Sequence, residues 1–123
     1  MTPLYALALA VDLGKVLVTL PAVERGRRRE AAGPLLARMR ARGVTCHLRA
    51  SASRARLVRA IAFVDRRAPG GPNCLRRALL RVALDATAAR DPVVFGLDVP
   101  EGRGHAWVDG TEESGRYDVE FRI

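Results

Sequence analysis

Apolar residues follow a helical rhythm over the first two thirds of the chain and a strand rhythm over the last third. Residues 3–20 are almost continuously apolar and predict a helix, broken near Gly14. The charged run 24–30 predicts a solvated turn or helix start, and residues 31–41 predict a second helix. Residues 43–48 read as a short extended piece. Ser51-Ala52-Ser53 then caps a helix whose buried face would be Leu57, Val58, Ile61, Phe63 and Val64. After the turn Pro69-Gly70-Gly71-Pro72, Asn73 is a good N-cap. Leu75, Ala78, Leu79, Val82 and Ala83 recur at spacings of three and four, so the next helix buries one side and leaves its first turn open.

From Pro92 the period changes. Residues 93–99 predict a strand, 100–104 its turn, 105–109 a second strand, 110–115 another turn, and 116–123, which alternate cleanly, a third. The expected class is α+β: N-terminal helices, then a helix packed on an antiparallel β-meander. One domain of 1–123 is expected, with a helical part at 1–50 and a core at 51–123 that carries the chemistry.

Composition narrows the partners. The chain of 123 residues carries a formal charge of +8, yet of its 21 basic residues only Lys15 is a lysine, the signature of biased coding composition. No zinc-finger, homeodomain or RNA-binding pattern accompanies the charge, so nucleic acid is not an expected partner. Cys46 and Cys74, in a chain with no cleavable signal, predict free thiols in a reducing cytoplasm. The apolar start lacks a basic leader, and Asp12, Gly14 and Lys15 interrupt it short of about 20 residues, so a docking or buried helix is expected rather than a membrane span. Cys46, His47, Cys74 and His105 lack the close pairs of a zinc site, and no metal or cofactor is expected.

The chemistry is expected at Cys74. A helix that begins at a cysteine sets the sulfur at the positive end of its dipole, which favours the thiolate. His105, in Gly104-His105-Ala106-Trp107-Val108, is the candidate base. Asp109 shares its face but lies four residues along one strand, about 13 Å away, too far to hold the imidazole. If the last turn centres between Thr111 and Glu112, Asp118 arrives opposite His105; a slip of two residues would bring Glu120 instead. Cys46 and His47 are adjacent, so on a strand they would point to opposite faces.

Cys74-Leu75 with Ala78-Leu79 after it, Val94-Phe95-Gly96, and Gly104-His105-Ala106-Trp107-Val108 followed by an acidic residue and glycine resemble the C-terminal peptidase domain of the lasso-peptide B proteins. These belong to the transglutaminase-like cysteine protease superfamily, and the likeness spans roughly residues 52–123. It implies a papain- or transglutaminase-like core and a triad of Cys74, His105 and Asp118, with the aspartate spacing one residue longer than the family's. It also implies hydrolysis of the leader from a ribosomally made precursor peptide. A separate leader-recognition protein of the RRE type and a macrolactam-forming lasso cyclase would be the partners, and residues 4–20 the expected docking region. Two other classes stay open: an acyl transferase using the same triad, and a non-catalytic adaptor.

Overall fold

The structure is a computed structural model that describes residues 1–110, 117 and 119–123, without the Val119 side chain. Among these are four helices, α1 (Pro3–Arg29), α2 (Ala32–Gly43), α3 (Ser51–Arg67) and α4 (Cys74–Leu84), and three strands, β1 (Val93–Asp98), β2 (Arg103–Val108) and β3 (Val119–Arg122). The strands form one antiparallel sheet, so the class is α+β.

The sheet order is β2-β1-β3, which corrects the expected meander. β3 pairs with β1 (Gly96 with Glu120, Leu97 with Val119) and not with β2. Main-chain bonds close that pairing at its end, with Val93 and Ile123 exchanging N–H and carbonyl at 2.9 Å in both directions. β3 therefore lies on the far edge of β1, and among the described residues the outer edge of β2 pairs with no strand.

α1 begins where Thr2 Oγ1 accepts the Tyr5 N–H (3.1 Å) and Pro3 occupies the first turn, where its missing N–H costs nothing. It runs unbroken through Gly14 and Pro21 and ends within the charged run 24–30, where a solvated turn or a helix start was expected. Arg27, Arg28 and Arg29 complement the dipole at its C-terminal end. Val16 and Val23 are fully buried in the core with Leu35, Leu36, Met39, Leu57 and Leu79, while Leu4, Leu7, Val11 and Val18 are exposed along one stripe. By length and mean hydropathy (1.8) this helix could cross a membrane, and the interruption expected at residues 12–15 does not shorten it.

Residues 43–48 form no strand, and α3 starts at Ser51 behind Ala50 without a side-chain cap. Ser53 Oγ instead accepts from Arg49 (3.0 Å) and Arg56 (3.2 Å). The buried face of α3 is Leu57, Ala60, Ile61 and Val64; Val58 and Phe63 are exposed, with the Arg67 guanidinium 3.6 Å over the Phe63 ring.

Buried carboxylates join these helices. Asp12 on α1 accepts from Arg49 (2.9 Å) and Arg56 (2.7 Å), and Asp85 after α4 accepts from Arg54 (2.9 Å) and from the Thr87 N–H (2.9 Å). Burial alone would raise the Asp12 and Asp85 carboxyls, but these hydrogen bonds outweigh it and hold both below the ordinary aspartate value. Glu24 is held low chiefly by the hydrogen bond from Arg76. Carboxyls depressed in the folded state take up protons less readily than in the unfolded chain, where Asp and Glu titrate near 3.9 and 4.3. Their stabilisation is therefore complete above those values and lost as pH falls through the folded ones. Thermal melts followed by circular dichroism should give a level Tm from pH 7 to about 5 and a falling one below about 4; a Tm that holds to pH 3 would contradict this account.

Candidate active site

α4 starts at Cys74 because the preceding turn is fixed from several sides. Gly70 and Gly71 adopt φ of 86° and 79°, which side chains rarely tolerate, and so reverse the chain into Asn73. Asn73 caps the helix, its Oδ1 accepting the Arg76 N–H at 2.9 Å. Asp65, fully buried at the end of α3, accepts the Asn73 N–H (3.1 Å), Arg76 Nη1 (2.9 Å) and Arg77 Nη1 (2.8 Å). The Arg76 guanidinium, itself buried, also donates to the Gly71 carbonyl (2.9 Å), the Pro69 carbonyl (3.2 Å) and Glu24 on α1 (2.7 Å). One ion pair thus holds the turn, the helix start and α1 together.

Cys74 lies against the outer edge of β2, where the Ala106 N–H donates to its Sγ at 3.4 Å. Asn73 engages the Arg76 N–H through its side chain and the Arg77 N–H through its carbonyl (3.1 Å). The Cys74 N–H has no acceptor among the described residues, and the helix dipole lies behind it.

His105 precedes Ala106 on β2, and Cys74 and His105 line one cavity of about 270 Å³ between α3, α4 and β2. Alternation on β2 sends Ala106 and Val108 towards α4 and His105 and Trp107 to the other face, so the cavity wraps the strand's edge. On that other face the His105 and Trp107 rings stack on Tyr117 at centroid distances of 5.8 and 5.2 Å, and on each other at 5.7 Å. Gly96 makes the stack possible. A Cβ at Gly96 would sit 2.7 Å from the Tyr117 ring and 2.9 Å from Trp107, so the ring lies on bare backbone.

The third triad member stands differently. Asp118 lies outside the described residues. The hairpin from which it was expected opposite His105 is not formed, because β3 pairs with β1. Glu120 and His105 both pair with Gly96 from opposite sides and share its face, two strand spacings apart, or about 10 Å at Cα. Asp109 interacts with Arg122 (3.6 Å).

The sequence reading missed Asp65, Arg76 and Tyr117. Asp65 and Arg76 lie on different helices on either side of the glycine turn, so no local periodicity links them. Cys46 and Cys74 are both free thiols, and Cys46 lies near the Ala83 carbonyl (3.6 Å). Among the described residues no three His, Cys, Asp or Glu side chains gather in a way that could hold a metal ion.

The chain matches no protein-family model, curated protein or solved structure with which it was compared.

Two substitutions test this construction. Arg76→Met strands Asp65 in the interior and should cost about 3–5 kcal/mol in urea unfolding; a loss under about 1 kcal/mol would show that the pair does not hold the turn. Gly96→Ala forces the aromatic stack to move, costing about 1–3 kcal/mol and altering near-ultraviolet dichroism. An unchanged spectrum would place Tyr117 elsewhere.

Proposed function

We propose that this chain is a cysteine peptidase of the transglutaminase-like superfamily that removes the leader from a lasso-peptide precursor. The observation that carries the reading is the placement of Cys74: at an N-capped helix start, under the Ala106 N–H, in one cavity with His105.

The chemistry follows from those positions. His105 takes the thiol proton, and the Cys74 sulfur attacks the scissile carbonyl to give a tetrahedral oxyanion. The Cys74 N–H, backed by the helix dipole, is the donor available to that oxygen. Collapse breaks the C–N bond, the imidazolium hydrogen protonates the leaving amine, and the leader remains as a thioester. Water, deprotonated by His105, then adds to the thioester carbonyl and releases the leader carboxylate and the thiolate. Asp118 is the residue that the family likeness assigns to the imidazole's second nitrogen, with Glu120 as its alternative. Support for a papain-like core comes from the order of elements, a nucleophile helix followed by a base on a packed antiparallel strand.

The partners in this reading are the precursor peptide, an RRE-type leader-recognition protein and the lasso cyclase that receives the freed core, all in the cytoplasm. The leader-recognition protein is assigned the outward stripe of α1. Leu7 and Val11 there line a groove with Leu48 and Leu84, rimmed by Lys15, a basic and apolar surface suited to an acidic partner. Val16 and Leu9, in the same helix, pack inward and serve the core.

Mass spectrometry of a lasso precursor incubated with this protein and its recognition partner should show leader release by wild type and none by Cys74→Ala. A folded wild type that cleaves nothing would favour an adaptor, and a product joined to an amine instead of water would favour acyl transfer. Leu7→Asp with Val11→Asp should abolish partner capture in a pull-down while leaving the melting curve intact. Capture by the double variant at wild-type levels would remove α1 from the interface.

A further inference from the structure

The cavity beside Cys74 holds more than the reacting groups. Its walls are largely apolar, with Val58 and Ile61 from α3 and Ala78 and Val108 opposite. Two buried donors among its lining residues have no hydrogen-bond partner among the described residues: Arg81 Nε and Trp107 Nε1. Buried donors are almost always satisfied in a native protein, so each calls for an acceptor, and Arg81, on the α4 side of the sheet with Cys74, is the one an occupant of this cavity could serve. None of the lining side chains is a carboxylate.

Arg81 is short of a counter-charge. Its nearest carboxylate, Asp85, stays 4.0 Å from Nε and is already bonded to Arg54 and to the Thr87 N–H. Burial and the nearby Arg54 work against the Arg81 cation more than Asp85 and Asp91 support it. Arg77, the other guanidinium in the lining, is committed to Asp65 at 2.8 Å. An anion entering the cavity would therefore meet a cation that lacks a close partner.

Position relates this cation to the nucleophile. Cys74, Ala78 and Arg81 lie at i, i+4 and i+7, one stripe of α4, so the Arg81 backbone stands two turns, or about 10 Å, along the helix from that of Cys74. The small Ala78 between them leaves the floor of the groove low. The reach of a substrate side chain held at Cys74, together with the arginine's own length, spans that distance.

We propose that this cavity is the specificity pocket of the site and takes the carboxylate side chain, glutamate foremost, of the residue that supplies the scissile carbonyl. The inference rests on the peptidase reading and deepens it by naming a substrate class.

The test uses the full chain and irreversible probes, acetyl-Ala-Ala-Xaa acyloxymethyl ketones with Xaa as Glu, Gln or Leu. Alkylation of Cys74 is followed by intact mass, with iodoacetamide reporting that the thiol is accessible. The Glu probe should label wild type at least about tenfold faster than the Gln probe, as expected for a charge-assisted hydrogen bond. Arg81→Met should erase that ratio and Arg81→Lys keep part of it. Equal rates for Glu and Gln on wild type, or a ratio that survives in Arg81→Met, would overturn the pocket assignment while leaving the peptidase reading standing. If iodoacetamide modifies Cys74 but no peptidyl probe does, the peptidase reading fails and the pocket with it.

Discussion

The buried pair of Asp65 and Arg76 is the contact on which the rest of the site depends. Burying both charges costs several kcal/mol per ion, a cost offset only when every polar position finds a partner. Here they do: the carboxylate accepts from a main-chain N–H and two guanidinium groups, and Arg76 reaches two carbonyls and Glu24 besides. Apolar residues of equal volume could fill the same space. They could not bond residues 69, 71 and 73 at once, and those bonds decide where α4 begins. The pair's contribution is therefore one of position. It couples the end of α3, the glycine turn and α1 to the orientation of one sulfur.

The sheet supplies the second half of the geometry, through an absence of side chain at its centre. Because β1 lies between β2 and β3, any residue at position 96 would stand between His105 and Glu120. Glycine leaves the backbone bare there, and Tyr117 settles into the gap against Trp107 and His105. An imidazole stacked on one face has fewer orientations than a free one. Among the described residues the same strand order leaves the outer edge of β2 without a strand partner, and that edge delivers the Ala106 N–H to Cys74.

Much of this was legible from local pattern. The α4 start could be read from Asn73, the glycines and the apolar spacing, and all three are features a single helix turn decides. The strands could be placed by their alternation, but their order could not. Alternation assigns faces and says nothing about which edge a later strand joins, so the hairpin placing Asp118 opposite His105 was an assumption about connection. Gly14 suggested a broken first helix, yet it and Pro21 both sit on the exposed side, where water can take up the carbonyl that Pro21 leaves without its N–H. Phe63 was expected inside but is exposed, while Ala60, which was not expected there, is fully buried on the face that α3 turns to the core. Arg76 was illegible for a different reason. In a chain with so many arginines, nothing local marks the one that is buried.

α4 carries two patterns in its eleven residues, and their separation explains why a small domain can hold a reactive group in place. Ala78, Leu79, Leu80, Val82 and Ala83 bury most of the helix between α2, α3 and the sheet, and this fixes its axis. The stripe through Cys74 and Arg81 is left at the margin of that burial, with Ala78 shared between core and cavity. A thiol at the first turn and a cation two turns on are then held at a fixed separation by the helix itself, with no loop between them. The cavity they line has a dimension set by helical rise, with a thiol towards one end and a positive charge towards the other. The same side-chain periodicity that makes the helix fold also defines the shape of what it can bind.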